Sequence, residues 1–259
     1  MKKKNKNAIF AISIKTIVML LFYAPDITTA TTHYVLPEDE SRHCLKVMRL
    51  QVGDEIFLTN GQGTLFKVKI AVNDLHACMV EIVEAIDNYQ PMDYYLHLAV
   101  APTKNTDRFE WFAEKAVEIG VSKITTLCCE NSERTSIKSD RIVRLMIAAM
   151  KQSLRAYLPS LEVNVGFKDF IRQSQTFAGQ KLIAYCGIAS QASVPLPEAL
   201  KKDKSALVLI GPEGDFSPQE VELALANGFV PVSMGDMRLR TETAALMACA
   251  TACVVNQKL

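Results

Sequence analysis

The sequence predicts an α/β protein: a mainly parallel sheet covered by helices on both faces, preceded by a small, mostly β domain. Three observations carry that prediction. Beyond Tyr94, apolar runs of strand length alternate with segments of helical periodicity. Between Leu207 and Leu246, two strand–loop–helix units follow one another, each with a glycine-bearing loop at the carboxyl end of its strand. Between Thr32 and Asp87, by contrast, the turn signals Gly53-Asp54, Asn60-Gly61 and Asn73-Asp74 punctuate strand-like runs.

Composition bounds the class. A length of 259 residues suggests roughly two domains. With 49% hydrophobic and 22% charged residues, the chain reads as an ordinary globular protein. A net charge of +1 does not point to nucleic acid, so any such surface must be a local patch balanced elsewhere. The seven cysteines show neither CxxC nor a Cys/His ligand spacing, which argues against zinc. Cys249 and Cys253, one helical turn apart among alanines, read as small core residues. An odd cysteine count without a framework fits a reducing compartment. Lys2-Lys3-Lys4 and the apolar stretch Ala8 to Ala24 superficially resemble a signal peptide. Lys15 interrupts that stretch, and it is short for a membrane span.

In the first domain, Pro37 to Leu50 reads as a short helix. Leu45 and Met48 can face inward, while Arg42, Lys46 and Arg49, at i, i+4 and i+7, share another face. Glu55–Thr59 is a strand that the Asn60-Gly61 turn joins to Thr64–Ala71, and His76–Glu84 follows. Asn88-Tyr89-Gln90-Pro91 is the linker. Tyr94–Ala101 opens the second domain. Asp107–Ile119 is helical, with Phe109, Phe112, Ala113, Ala116 and Val117 on one apolar stripe and Gly120 stopping it. Trp111 lies off that stripe and is expected to be partly exposed, with packing rather than base stacking as its role. Lys123–Cys129 is the next strand, and Asn131–Lys138 is a polar, basic loop. Ser139 caps a helix running to about Tyr157, closed by Pro159. Leu182–Cys186 is a further strand, ending in Gly187.

The most informative stretch follows. Leu207–Ile210 runs into the tight-turn loop Gly211-Pro212-Glu213-Gly214. Ser217 is then an N-cap, Pro218 the first helical residue and Glu220 the partner in a capping box. Phe216 and Val221 are spaced as a hydrophobic staple, and Gly228 ends the helix in the left-handed conformation. The strand Phe229–Met234 leads through Gly235 into the loop Asp236–Arg240, and Thr241 caps a last helix dense in alanine and cysteine. Several motifs are missing. There is no GxxxxGK[ST], no GxGxxG after a strand, no GxSxG elbow and no HExxH. These absences weaken kinase, dinucleotide and hydrolase readings.

The strings IGPEGDFSPQEV (210–221), GF (228–229) and GDMRLRTETA (235–244) resemble the C-terminal signature of the RsmE family. These are 16S rRNA uridine N3-methyltransferases of the SPOUT superfamily. The likeness extends upstream through APTKNTDRFEWFAEKAVEIGV (101–121) and KQSLRAYLP (151–159) to LPEDESRHCLKVMRLQVGDEI (36–56), so it covers the chain from about Met19. It implies a PUA-like RNA-binding β-barrel domain over residues 19–88 and a trefoil-knotted SPOUT methyltransferase domain over 91–259, the knot being a rare exception to unknotted topology. Residues 1–18 are then expected to be a non-native or misassigned extension. The resemblance further implies S-adenosylmethionine as cofactor, 16S rRNA or the small ribosomal subunit as partner, a homodimer, a cytoplasmic location, and neither metal nor membrane.

On this resemblance, the cofactor contacts fall on Ile210, Gly211, Pro212, Glu213, Gly214, Met234, Gly235, Leu239, Arg240 and Thr241. Gly211, Gly214 and Gly235 would let backbone approach an adenosine closely. Ile210 and Leu239 could sandwich its adenine. The nucleophile, uridine N3, carries an imide proton and reacts only once that proton is lost. The site therefore needs a proton acceptor and positive charge near the anion developing on O2 and O4. Arg238 and Arg240 can supply the charge, and Glu213 and Glu242 are possible acceptors, with Arg240 and Glu242 the pair expected to be catalytic. Glu242 also lies in the first turn of a helix, where a carboxylate is stabilising in any case. The target base must leave its stack, and basic side chains must hold the RNA backbone. Arg42, Lys46, Arg49, Lys104, Arg108, Arg134, Lys138 and Arg155 are the expected contacts.

Two departures from the family pattern stand out. Asp215 occupies a position where a second glycine is frequent, and Met237 stands where many relatives have arginine, with Arg238 one residue later. Two rival readings remain at this level. One is a non-catalytic RNA-binding protein that kept the fold. The other is an α/β enzyme that uses the GPEG loop for a nucleotide phosphate.

Overall fold

The computed structural model describes residues 19–185 and 193–257. The expected extension before Met19 and the strand end at Cys186-Gly187 lie outside the described residues. The first domain comprises β1 (Leu21–Tyr23), β2 (His33–Val35), α1 (Glu38–Arg42), β3 (Glu55–Thr59), β4 (Leu65–Val72) and β5 (Met79–Ile86). Its five-stranded sheet has the order β1-β3-β4-β5-β2. The Asn60-Gly61 turn joins β3 and β4 antiparallel, as its composition requires, while β1 adds in parallel beside β3. Alternation sends Phe66, Val68 and Ile70 into a core with Phe22, Leu36, Ile56 and Leu58.

The Pro37–Leu50 segment departs from a plain helix. After α1 the chain widens into a π-helical turn over His43–Val47, and Arg49 lies beyond it at φ +58°. The Arg42, Lys46 and Arg49 side chains therefore do not share one α-helical face. Leu45 is buried as expected, whereas Met48 is exposed.

The second domain runs β6 (Leu96–Val100), α2 (Thr106–Ile119), β7 (Lys123–Cys128), α3 (Ser139–Gln152), β8 (Ser160–Gly166), α4 (Phe167–Gln173), β9 (Gln180–Ala184), β10 (Val194–Pro195), α5 (Leu196–Ala199), β11 (Ala206–Ile210), α6 (Pro218–Ala226), β12 (Val230–Ser233) and α7 (Thr241–Asn256). Its seven strands have the order β10-β12-β9-β11-β6-β7-β8, and every pairing is parallel. Parallel strands need both faces covered, and the central ones are buried along their whole length. Leu96, Leu98 and Val100 face a core shared with α2, α3 and α7, while Ala99, Leu207 and Leu209 face one shared with α4 and α6. The α2 stripe Phe109, Phe112, Ala113, Ala116 and Val117 is buried as its period dictates. Gly120 stops the helix at φ +125°. Cys249 lies in the core, where burial pushes its thiol up to about 12.

Two helix ends differ from expectation. α3 stops at Gln152, and its N-cap is Lys138, because the Ser139 hydroxyl bonds Asp140 instead of the backbone. The residues after α3 instead join the two domains. Ala156 O accepts from Thr59 Oγ1 (3.1 Å) and from the Gly63 amide (2.8 Å), and the Leu158 amide donates to Gly61 O (2.8 Å). Lys151 reaches across the same junction to Glu40 at 2.5 Å.

His97, on β6, is buried, hydrogen-bonded through Nε2 to Thr125 Oγ1 (2.8 Å) and edge-on to Phe170. Burial, aided by the Lys123 charge, lowers its pKa from 6.5 to about 3. Below pH 6.5 the unfolded chain therefore takes up a proton that the native imidazole refuses. Stability is complete above that pH and falls as the pH drops toward 3, approaching about 1.4 kcal/mol per pH unit. His97→Gln keeps a donor near the Nε2 position and cannot titrate. Urea unfolding at pH 7 and pH 5 is expected to show a smaller acid loss in the variant than in the parent chain.

Candidate functional site

The loops at the carboxyl ends of the parallel strands converge, which is where such sheets place their ligands. Four of them are linked by named bonds: 101–105 after β6, 129–134 after β7, 211–217 after β11 and 234–240 after β12. The last two carry the glycines singled out in the sequence. β9 lies between β11 and β12, so the two strands are not neighbours as expected, yet their loops meet. Thr241 Oγ1 donates to Gly211 O (3.1 Å), and Arg238 Nη2 donates to Glu213 O (3.2 Å). Thr241 is thus not a cap. Arg240 holds the N-cap position of α7, and the Thr241 hydroxyl ties one loop to the other.

The capping box at the start of α6 forms as read, and it reaches further than expected. Ser217 Oγ accepts from the Glu220 amide (3.3 Å), and Glu220 Oε2 accepts from the Ser217 amide (2.9 Å). Glu220 Oε1 also accepts from the Glu130 amide (2.9 Å), binding the loop after β7. Asn131 Nδ2 donates to Gly214 O and Asp215 O at 3.3 and 3.1 Å. The Lys104 amide donates to Glu213 Oε1 (3.0 Å), and Arg134 donates twice to Lys104 O at 3.2 and 3.1 Å.

The glycines act differently from one another. A Cβ on Gly211 would stand 3.1 Å from the Phe216 ring, and one on Gly214 would stand 3.1 Å from Asn131 Cβ. Gly211 is small because its own loop folds back on it, and Gly214 because the loop after β7 packs against it. Gly235, at φ +104°, faces open space, with nothing within 4 Å of where a Cβ would stand, so its bare backbone is open to a ligand. Asp215 adopts φ +63°, a conformation that glycine would take without strain.

Beside the loops, Asp107, Arg108, Trp111, Arg238, Leu239, Arg240, Glu242 and Thr243 line an open cleft of about 600 Å³. Glu242 is only 7% exposed; its Oε1 is 3.9 Å from Arg108 Nε, and its Oε2 is buried without a partner. Glu213 Oε2 is likewise buried and unpartnered. Buried polar atoms are rarely left unsatisfied, and two acceptors of this kind fit a ligand that brings its own N–H or O–H groups. A cofactor bearing hydroxyl and ammonium donors suits them, as it suits the bare backbone at Gly235.

The residues expected to touch RNA scatter in role. Lys104 and Arg134 lie at the loop cluster, the former paired with Glu133 at 2.7 Å. Arg108 lines the cleft, and Lys138 is exposed at the head of α3. Arg42 pairs with Glu38 at 2.6 Å on α1. Arg155 lies elsewhere. Its Nε and Nη2 donate to Glu118 O (3.2 Å) and Ile119 O (2.7 Å), so it closes the carboxyl end of α2, the end of that helix away from the 101–105 loop. Among the described residues, no group of three or more His, Cys, Asp or Glu side chains could hold a metal ion, and no helix is long and apolar enough to cross a membrane.

Comparison with known proteins agrees with this geometry. Residues 90–253 match the family model described as an RNA methyltransferase domain, and residues 36–83 match an RNA methyltransferase PUA domain. Fold and site together define a two-domain RNA methyltransferase. A probable rRNA-methyltransferase of Porphyromonas gingivalis is 42% identical at a TM-score of 0.85, with 92% of this chain and 98% of that one covered. The ribosomal RNA small subunit methyltransferase E of Neisseria gonorrhoeae, solved bound to S-adenosylmethionine, is 26% identical at a TM-score of 0.77, covering 92% and 98%. The Synechocystis protein of the same name is 28% identical over 229 residues, 86% of this chain and 71% of that protein. The chain belongs to the RsmE family of SPOUT methyltransferases.

Proposed function

We propose that this protein transfers a methyl group from S-adenosylmethionine to N3 of a specific uridine in the 16S rRNA of the small ribosomal subunit. The observation that carries the proposal is the joining of the Gly211 and Gly235 loops through Thr241 and Arg238, beside a cleft holding a buried, unpartnered carboxylate oxygen.

In this reading Ile210, Gly211, Pro212, Glu213 and Gly214, with Met234, Gly235, Leu239, Arg240 and Thr241, hold the cofactor. When bound, that cofactor supplies a methyl carbon made electrophilic by its sulfonium. The chain supplies the rest. Glu242 accepts the imide proton from N3, and Arg240, with Arg238 beside it, stabilises the negative charge that spreads onto the carbonyl oxygens. The first domain, with Lys104, Arg108, Arg134 and Lys138, holds the RNA backbone so that the base can leave its stack. A substrate of this kind supports a cytoplasmic location.

Two further features follow. α7 packs against α2, β6 and β11 while its preceding loop is bonded to the loop after β11, an arrangement that supports a threaded, trefoil-knotted chain. α7 also leaves Thr243, Met247 and Val254 exposed, a face that supports pairing with a second copy.

The test is mapping of N3-methyluridine in 16S rRNA from cells with and without the gene. Loss of one modified position on deletion, restored by the wild-type gene, is expected. An unchanged pattern, with RNA affinity retained, would leave a non-catalytic RNA-binding protein.

A further inference from the structure

We propose that Trp111 is the platform on which the target base stacks, and that the cleft it shares with Arg108, Arg238, Arg240 and Glu242 is the nucleobase subsite. The proposal rests on the methyl-transfer reading above and assigns a residue to its substrate. Trp111 projects from α2 on the side away from the stripe that binds the sheet, and it is 46% exposed, so the core does not need it. An indole left half in water retains a large apolar face for a partner. The cleft it lines holds about 600 Å³, within the range of small-ligand sites.

The chemistry around the indole selects one class of occupant. An unstacked base has a flat π-face and a polar edge. The π-face matches the indole. The edge of uracil alternates carbonyl oxygens with an imide N–H, a pattern that complements arginine donors and a carboxylate acceptor. Arg238 and Arg240 supply the donors from the loop before α7, and the buried Glu242 Oε2, which has no partner, supplies the acceptor. Stacking also tolerates the loss of duplex contacts, because it replaces the neighbours that a flipped base leaves behind.

Trp111 is the single tryptophan of the chain, so its emission is the whole indole signal. The protein is saturated with S-adenosylhomocysteine and titrated with an oligouridylate, while RNA binding is followed separately through a label on the RNA. Emission is expected to be quenched in step with binding. An oligomer of the same length with abasic riboses should bind through its phosphates without quenching. Equal quenching by the abasic oligomer, or none at saturation by oligouridylate, overturns the stacking role. So does quenching complete with S-adenosylhomocysteine alone, which would place the cofactor on the indole. Trp111→Leu is expected to raise the KM for RNA about tenfold to a hundredfold at unchanged S-adenosylhomocysteine affinity, with Trp111→Phe close to wild type. A Leu variant with unaltered KM also overturns it. Base-dependent quenching in a protein that methylates nothing would keep the subsite and remove the reaction, so the two readings fail separately.

Discussion

Arg240→Ala is expected to lower the rate of methyl transfer by roughly 10²–10³-fold, the usual cost of removing one group that stabilises developing negative charge. RNA affinity should change only severalfold. The reason lies in how the three arginines of the cleft are used. Arg238 already gives Nη2 to Glu213 O, and Arg108 faces the Glu242 carboxylate. Among the described residues, Arg240 takes part in no ion pair, and its backbone is fixed, as its carbonyl accepts from the Ala244 amide (2.8 Å) at the head of α7. A guanidinium held at a rigid helix start and not committed elsewhere is available to the anion forming on the uracil oxygens. Single-turnover methyl transfer and filter binding on the same RNA separate the two effects. An equal fall in both would make Arg240 a binding residue. Arg240→Lys should lie between, since it keeps the charge and loses the planar fork.

Much of the fold could be read because its signals are local. The Ser217–Glu220 capping box, the left-handed Gly228 at φ +83° and the five-residue stripe of α2 each depend on residues within one or two turns of each other. What was not legible depends on contacts or on weak patterns. β1 is three residues long and gains its identity only by pairing with β3. β8 is an edge strand of half-buried residues with Asn164 at φ +60°, which gives no clean alternation. The π-helical turn after α1 does not alter composition, so a plain helical period mistook Met48 for a core residue and Arg49 for a helical one.

The candidate site divides along the same line. Its loops were visible, because glycines after strands and a cap before a helix are punctuation. Its wiring was not. Thr241 looked like a cap, yet its hydroxyl crosses 30 positions of sequence to Gly211, and Glu220 crosses 90 to the Glu130 amide. Arg155 stands in a family-like string and looked like an RNA contact, but it closes a helix. For Trp111 the sequence points to packing, because spacing shows which face is apolar, not what stands opposite the other face. Only folding brings it to the cleft that Glu242 also lines.

Glu242→Gln is expected to slow methyl transfer at neutral pH by about 10²–10⁴-fold, the range for a lost general base. Glutamine matches the side chain in size, so packing is kept while the charge and one acceptor are removed. A competing account makes Glu242 a helix-start carboxylate that only complements the dipole of α7, worth about 0.3–1 kcal/mol. That account fits its position, but it does not explain burial. A carboxylate serving only the dipole gains nothing from leaving water, and burial with one oxygen unpartnered costs stability. The two accounts part in their pH dependence. If Glu242 removes the imide proton, the variant should recover as the pH rises, because hydroxide ionises N3 in solution and the reaction no longer needs the side chain. Its rate should then converge on that of the wild type at alkaline pH. A structural carboxylate predicts instead a lower melting temperature and a rate deficit equal at every pH. Rate profiles of both proteins, taken with their melting curves, decide between the two, and a flat deficit would remove Glu242 from the chemistry while leaving Arg240 in place.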